Sequence, residues 1–132
     1  MTLLLDSDIV NYLLRKSPRV GEQLRDAIRR GDEFVLSPVV HFEVTRYLRL
    51  KGSHRAMRFY RDLTARWNCY EFTPDDGNVA VDLWAQRHRA GRPIEDSDLL
   101  IAVSALQAGA TLVTNNPRHF EGLGIALESW ST

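Results

Sequence analysis

The stretch PIEDSDLLIAVSALQAGATLVTNNPRHF, from Pro93 to Phe120, decides how this sequence can fold. Three carboxylates stand just before a strongly apolar segment, which is long enough to predict a buried helix over Asp98–Gln107. A short apolar run at Ala110–Val113 predicts a buried strand, and the polar sequence Thr-Asn-Asn follows it. Acids are favourable at helix starts and Asn is common in turns, so each feature alone has an ordinary structural explanation. Acids at the ends of other strands would call for a different explanation.

Short apolar segments alternate with helical segments along the whole chain. Strands are predicted at Thr2–Leu5, Glu33–Leu36, Cys69–Phe72, Ala110–Val113 and near Ile125–Leu127. Helices are predicted at Ile9–Leu14, Val20–Arg30, Val39–Leu50, His54–Trp67, Asn78–Arg89 and Asp98–Gln107. In the fifth of these helices, the residues expected to face mostly inward are Val79, Val81, Leu83 and Trp84. The alternation is typical of the α/β class, with a central parallel sheet of four to five strands and helices on both faces.

The composition is that of a globular protein without a membrane-spanning segment. The chain has 132 residues, of which 44% are hydrophobic and 26% charged, and no apolar run approaches the roughly 20 residues that span a bilayer. The N-terminus has no basic region of the kind that begins a signal peptide. Cys69 is the single cysteine, which excludes an intrachain disulfide and a thiolate metal cluster. We therefore expect one domain over residues 1–132, located in the cytoplasm.

Basic residues are concentrated between positions 46 and 66, although the formal net charge of the chain is zero. Asp62 is the only acid in this interval. The basic residues are Arg46, Arg49, Lys51, Arg55, Arg58, Arg61 and Arg66. Arginine is well suited to phosphate because its donors form a planar fork, so the block is a candidate nucleic-acid surface. A solvated helix face explains the same pattern, and composition alone does not separate the two.

Oxygen-bearing side chains recur where strands end and helices begin. Asp6 ends the first strand, Glu43 lies early in the helix after the second, and Asp98 opens the apolar helix. Asn116 follows the fourth strand. In a parallel sheet these positions share one edge, where ligands bind. Clustered carboxylates repel one another, and a hard divalent cation such as Mg²⁺ offsets that repulsion with oxygen ligands. The pattern therefore predicts a metal site.

Several of these positions also have a purely structural interpretation. Asp8 is either a further ligand or a helix cap. Glu43 alone would be expected to face solvent, and Asn116 alone would be a turn residue before a proline. Asp96 is predicted to be the helix N-cap, with Glu95 as a surface acid in the first turn.

Four segments, in this order, resemble the motifs of PIN domains, and within that family the VapC-type toxins of toxin–antitoxin pairs. The matching segments are LLLDSDI at 3–9, SPVVHFE at 37–43, PIEDSDLLIA at 93–102 and LVTNNPRHF at 112–120, with Trp130 near the C-terminus. The resemblance implies a PIN-like fold and a metal-dependent ribonuclease. It also implies that the protein is a homodimer and is neutralised by a VapB-type antitoxin.

The resemblance also implies roles for individual residues. The catalytic set would be Asp6, Glu43, Asp98 and Asn116, and the first three of these would bind Mg²⁺ or Mn²⁺. Supporting positions would be Ser7, Asp8, Asp96 and Thr114. The surface for RNA or for the antitoxin would include Arg46, Arg49, Arg55 and Arg58.

Two alternatives remain open from the residues themselves. The sequence Asp6-Ser7-Asp8 after an apolar strand also resembles the DxD nucleophile of haloacid-dehalogenase-type phosphatases, although no lysine motif of that family is visible. A PIN-like module could also bind RNA or a protein partner without cutting it. A glycine-rich phosphate loop, a GxSxG motif and an HExxH motif are all absent from the sequence.

Overall fold

The computed structural model describes residues 1–131, and within them it contains a five-stranded parallel sheet and six α-helices. The strands are β1 (Thr2–Leu5), β2 (Glu33–Leu36), β3 (Asn68–Cys69), β4 (Thr111–Thr114) and β5 (Leu127–Ser129). The helices are α1 (Ser7–Leu14), α2 (Pro18–Arg29), α3 (Pro38–Lys51), α4 (His54–Thr64), α5 (Pro74–Arg89) and α6 (Asp96–Ala108), with a short 3-10 helix at Pro117–Phe120. The predicted α/β class and strand number are confirmed.

The strand order places a binding crevice beside β1. The order is β3-β2-β1-β4-β5, and every pairing is parallel. From β1 the chain moves outward in one direction to β2 and β3, and later returns to β4 on the other side of β1. The order therefore reverses between β1 and β4, and the crevice outside the carboxyl ends of strands at such a reversal is the usual ligand site.

Both faces of the sheet are covered. Leu3, Leu4 and Leu5 are consecutive in β1 and expose 0%, 0% and 1% of their surface. Because successive side chains in a strand point to opposite faces, neither face of β1 meets solvent. The helix α6 is apolar on most of its circumference and buries five consecutive residues from Ile101, as expected of a core helix. None of the helices within residues 1–131 combines the length and apolarity that would allow it to cross a bilayer.

Several predicted element boundaries are wrong by a few residues. The strand β3 ends at Cys69 rather than Phe72, because the chain turns there toward the capping box in which Asp76 accepts the N–H of Thr73. The helix α4 ends at Thr64 rather than Trp67. The helices α1, α5 and α6 begin earlier than predicted, since their first turns are polar and apolar periodicity does not detect them. The strands β4 and β5 lie later than predicted, by one and two residues at their starts.

The predicted inward face of α5 is also partly wrong. Val81 and Trp84 are exposed, by 64% and 42%. The buried residues of this helix are Asp76, Ala80 and Arg87, which follow helical spacing but include two charged side chains. A periodicity based on apolar residues alone therefore selects the wrong face. The indole of Trp84 stacks on the ring of His88 at the surface instead of packing in the core.

Candidate functional site

Asp6 lies at the end of β1, in the crevice between β1 and β4. Its Oδ1 accepts the N–H of Ser7 at 2.8 Å, and its Oδ2 accepts the hydroxyl of Thr114 at 2.9 Å. Its side chain is the N-cap of α1, and the residue is 8% exposed. Burial, and then the charge of Asp8, raise the pKa of Asp6 to about 7. The carboxyl group is therefore held where its negative charge is costly.

Asp8 shares the environment of Asp6. Its Oδ1 accepts the N–H of Ile9 at 2.7 Å, and its Oδ2 accepts the N–H of Asn115 at 3.0 Å. The hydroxyl oxygen of Thr114 is 3.4 Å from the same Oδ2, so this one hydroxyl lies between two carboxylates. Burial raises the pKa of Asp8 as well. Of the two interpretations of Asp8, the helix cap is excluded, because Asp6 is the cap and Asp8 lies in the first turn. The role of Asp8 as a further ligand stays a prediction.

Glu43 reaches the same site from α3. Ser7 Oγ donates a hydrogen bond to Glu43 Oε1 at 2.6 Å, and Glu43 is half-buried rather than fully solvent-facing. The start of α3 is fixed to α6 through two buried serines. Ser104 donates its hydroxyl proton to the carbonyl of Leu100 at 2.9 Å, so Ser37 donates to Ser104 across 3.1 Å. This pair joins the start of the helix that carries Glu43 to the helix that carries Asp98.

Asp98 lies in the first turn of α6 and is half-buried. Burial raises its pKa, the charges of Glu95, Glu43 and Asp8 raise it further, and His119 opposes the shift. The Nδ1 of His119 lies 3.5 Å from Asp98 Oδ2. The mutual effects of these charges place Asp98 in the same electrostatic environment as Asp8 and Glu43.

The predicted N-cap of α6 is wrong. The helix begins at Asp96, and Glu95 occupies the cap position without a side-chain cap hydrogen bond. Asp96 is exposed in the first turn, where an acid complements the helix dipole.

Asn116 is the predicted site residue with the least support from the geometry. It is exposed, it precedes the 3-10 helix, and its backbone N–H donates to Thr114 Oγ1 at 3.0 Å. Its side chain makes no hydrogen bond to the residues that the structure describes. The neighbouring Asn115 is more closely integrated, because its N–H binds Asp8 and its Nδ2 donates to the hydroxyl of Tyr12 at 3.0 Å. The role assigned to the Asn116 side chain stays a prediction.

The four predicted surface arginines lie on α3 and α4 and are exposed. None of Arg46, Arg49, Arg55 and Arg58 forms an ion pair with a residue in 1–131. The guanidinium carbon of Arg46 lies 5.1 Å from the ring centroids of both Phe42 and Tyr47, which are themselves exposed. The positive charge of this surface is therefore available to a partner.

The chemistry of the acidic cluster fits a hard divalent cation. The donors are carboxylate oxygens, and the pKa values of Asp6, Asp8 and Asp98 are all raised. Among residues 1–131, however, no three Asp, Glu, His or Cys side chains converge closely enough to enclose a metal by themselves. Mg²⁺ usually keeps several waters and binds one or two carboxylates directly, so the arrangement suits Mg²⁺ better than a cation that requires an all-protein cage.

Comparison with known proteins identifies the family. Residues 3–124 match the family model described as PIN domain. The chain belongs to the PIN-domain family. The match covers most of the chain and confirms the resemblance seen in the four sequence motifs.

Curated relatives of this PIN domain are ribonucleases of the VapC type. Ribonuclease VapC19 of Mycobacterium tuberculosis is 32% identical over 118 residues, which are 89% of this chain and 90% of the relative. Ribonuclease VapC1 of Haemophilus influenzae is 27% identical over 128 residues, with 92% and 91% covered.

Solved structures share the fold of this PIN domain. One is the crystal structure of VapBC2 from Rickettsia felis bound to a DNA fragment from their promoter, with a TM-score of 0.84, 24% identity and coverage of 99% of this chain and 100% of that chain. Another is VapBC-1 from nontypeable Haemophilus influenzae, with a TM-score of 0.83, 24% identity and full coverage of both chains. At this level of identity the likeness shows the fold, and it confirms the predicted PIN-like architecture.

Sequence reasoning missed several contacts around the site. The side-chain bond from Asn115 to Tyr12 joins β4 to α1, and His119 approaches Asp98 from the 3-10 helix. Arg87 lines the same cavity as Asp98, although it belongs to the helix α5. The position of His119, within the polar segment after β4, was a usable signal. Arg87 gave none, because its helix appeared to be an ordinary amphipathic one.

Proposed function

We propose that this PIN domain is a divalent-metal-dependent endoribonuclease that hydrolyses RNA phosphodiester bonds. The main support is the convergence of Asp6, Asp8, Glu43 and Asp98 from three segments at one reversal in strand order, with three of their pKa values raised. The relatives named as VapC ribonucleases support the same activity. The family match argues against the phosphatase alternative.

Each residue of the proposed site would have its own role in catalysis. Asp6, Glu43 and Asp98 would bind Mg²⁺ or Mn²⁺, directly or through waters. A metal held by these residues would supply a bound water of lowered pKa and a positive charge that offsets the negative charge of the reacting phosphate. Ser7 orients Glu43, and Thr114 orients Asp6. Asp8, Asp96 and Asn116 would supply further polar groups around the site.

We further propose that the protein is the toxin of a toxin–antitoxin pair and binds a VapB-type antitoxin. The solved structures that share its fold include VapBC complexes. On this chain, a groove runs between α1, α3 and α4, which we call the basic groove. Its apolar floor includes Leu14, Leu48 and Ala56, and its basic residues are Arg15, Lys16, Lys51, Arg55 and Arg58. An amphipathic segment with acidic residues would match both the floor and the charge.

Two further assignments follow from the same family. Arg46 and Arg49 lie on α3 after Glu43, and we assign them to the RNA backbone near the site. We also assign a homodimer, because the exposed Val81 and Trp84 supply apolar surface for an interface. We assign the protein to the cytoplasm, because the exposed free thiol of Cys69 suits a reducing compartment.

Cleavage of total cellular RNA by the purified protein tests the nuclease. We expect discrete new 5′ ends in Mg²⁺ or Mn²⁺, and none in EDTA or with Asp98→Asn. Asp82→Asn is the matched control, because Asp82 is an exposed acid on α5 outside the site, and this variant should cut as the wild type does. RNA binding without cutting, by a folded protein free of antitoxin, would instead support the non-catalytic module.

A further inference from the structure

Arg87 is a buried arginine next to the acidic site. It lies near the end of α5 and is 8% exposed. Its Nε donates to the carbonyl of Arg92 at 2.8 Å, and its Nη1 donates to the carbonyls of Glu121 at 3.1 Å and His119 at 3.3 Å. These bonds join the loop after α5 to the 3-10 helix, so two of the three guanidinium nitrogens are fixed by backbone.

The remaining nitrogen of Arg87, Nη2, has no partner within residues 1–131. It is not an enclosed atom, since the one enclosed side-chain polar atom without a partner in this range is Gln23 Oε1. Arg87 lines a cavity of about 260 Å³ together with Pro93, Ile94, Glu95, Asp98 and His119. We therefore place the free edge of the guanidinium at the cavity that also contains Asp98.

The charge of Arg87 also lacks a carboxylate partner in the part of the chain that the structure describes. No carboxylate within residues 1–131 lies within 4 Å of it, and a largely buried cation without a counter-ion is costly. Backbone carbonyls offset part of this cost. An anion entering the cavity would offset the rest, and the cavity is smaller than the roughly 300–1,000 Å³ of a site for a whole small molecule. A single phosphodiester group is an anion of suitable size.

We propose that Arg87 binds a non-bridging oxygen of one RNA backbone phosphate in this cavity, beside Asp98. This inference rests on the proposed ribonuclease function and adds a substrate-binding residue to it. Asp98 and Glu95 repel a phosphate, and Arg87 supplies the positive charge that holds it there. Because the carbonyl bonds already fix the guanidinium, little side-chain entropy is lost when the phosphate binds.

Methylphosphonate substitution tests the contact directly. A short single-stranded RNA that contains the cut site is made with one neutral methylphosphonate at each linkage in turn, and its affinity is measured in Ca²⁺ and in EDTA by fluorescence anisotropy. If no cut is found, the RNA that binds most tightly from a random pool is used instead. For the wild type we expect that neutralising the linkage bound by Arg87 weakens binding by roughly 10- to 100-fold, the range for a hydrogen bond to a charged group.

In Arg87→Gln, neutralising that linkage should no longer weaken binding. Neutralising any other linkage should have the same effect as in the wild type. Arg89→Gln, which removes an exposed arginine two residues along the same helix, should give the wild-type pattern. Arg87→Lys keeps the charge with fewer donors, so it should retain part of the penalty at the same linkage even if the glutamine variant folds poorly. If Arg87 had only a structural role, Arg87→Gln would weaken the binding of the unmodified RNA and of every methylphosphonate RNA by the same factor.

The inference is overturned if neutralising each linkage weakens RNA binding by Arg87→Gln and Arg87→Lys as much as it weakens binding by the wild type. It is also overturned if no methylphosphonate weakens binding by the wild type. Failure of the nuclease proposal is a separate result, because binding is read without cutting. Suppose that the wild type never cuts RNA in Mg²⁺ or Mn²⁺, but that neutralising one linkage weakens its binding and has no effect in Arg87→Gln. That result would refute the nuclease and support the phosphate contact.

Discussion

Ser7 Oγ donates a 2.6 Å hydrogen bond to Glu43 Oε1 and so connects the first turn of α1 to α3, 36 residues later in the chain. Ser7 follows Asp6 directly, and the N–H of Ser7 binds Asp6 Oδ1. One residue therefore binds two of the proposed metal ligands, through its backbone to the first and through its side chain to the second. The relative position of these two carboxylates depends on Ser7.

Replacing Ser7 with Ala should lower the rate of RNA cleavage by about 10-fold, because a hydrogen bond to a charged group contributes about 1.5–3 kcal/mol and Glu43 would lose its orientation. The melting temperature should change little, since Ser7 and Glu43 are only half-buried. Ser7→Thr retains the hydroxyl and is the matched control. A Ser7→Ala enzyme with wild-type kcat at saturating Mg²⁺ would show that the bond has no part in catalysis.

Replacing Thr114 with Val should shift the pH dependence of cleavage upward. The Thr114 hydroxyl lowers the pKa of Asp6, so its loss raises that pKa further and leaves a buried carboxylate with one donor fewer. Asp6 must be ionised to bind a metal, so the acid limb of the rate profile should move to higher pH. Thr114→Ser should leave the limb in place. If the acid limb of Thr114→Val lies at the same pH as that of the wild type, the ionisation of Asp6 does not determine the rate of cleavage.

Charge reversal in the basic groove should separate the antitoxin from RNA. Arg55→Glu combined with Arg58→Glu should weaken inhibition by the VapB-type antitoxin by about 10-fold or more, because like charges across an interface are costly. Cleavage of a short RNA should be unchanged, and Arg89→Glu on α5 controls for added negative charge. If inhibition persists while cleavage falls, these arginines bind RNA instead.

The fold was predictable because its signals lie within single segments. Apolar runs predict all five strands to within three residues at each end, and the acids after β1 and at the start of α6 indicate the edge of the sheet where the site lies. The start of α6 was misplaced because the choice of Glu95 over Asp96 as cap depends on the chain path from the preceding loop. The inward position of Arg87 was hidden because its partners are carbonyls 5, 32 and 34 residues away, which no local pattern reveals.

The site itself was only partly predictable. The sequence indicated the acids, but the hydroxyl of Thr114 between Asp6 and Asp8 depends on the register of β4 against β1. The strand predicted from the sequence stops at Val113, one residue before the observed end of β4, and therefore places Thr114 in a loop. A one-residue change in register sends a side chain to the opposite face of a sheet, and periodicity does not determine it to that accuracy.

The stability of the metal-free protein should fall as pH rises toward 7. Asp6 has a folded pKa of about 7 against 3.8 for its ordinary value, so between these pH values the folded state retains a proton that the unfolded state has lost. The free energy of unfolding therefore falls by up to about 1.4 kcal/mol per pH unit in this window and levels off above it. The raised pKa values of Asp8 and Asp98 act in the same direction.

Chemical denaturation in EDTA at pH 5, 6, 7 and 8 measures how the free energy of unfolding changes with pH. Asp6→Asn should flatten this dependence and Asp82→Asn should not, while Mg²⁺ should stabilise the wild type most at the higher pH values. Stability that is constant or rises from pH 5 to pH 7 in EDTA would mean that these carboxylates are not destabilised in the absence of metal.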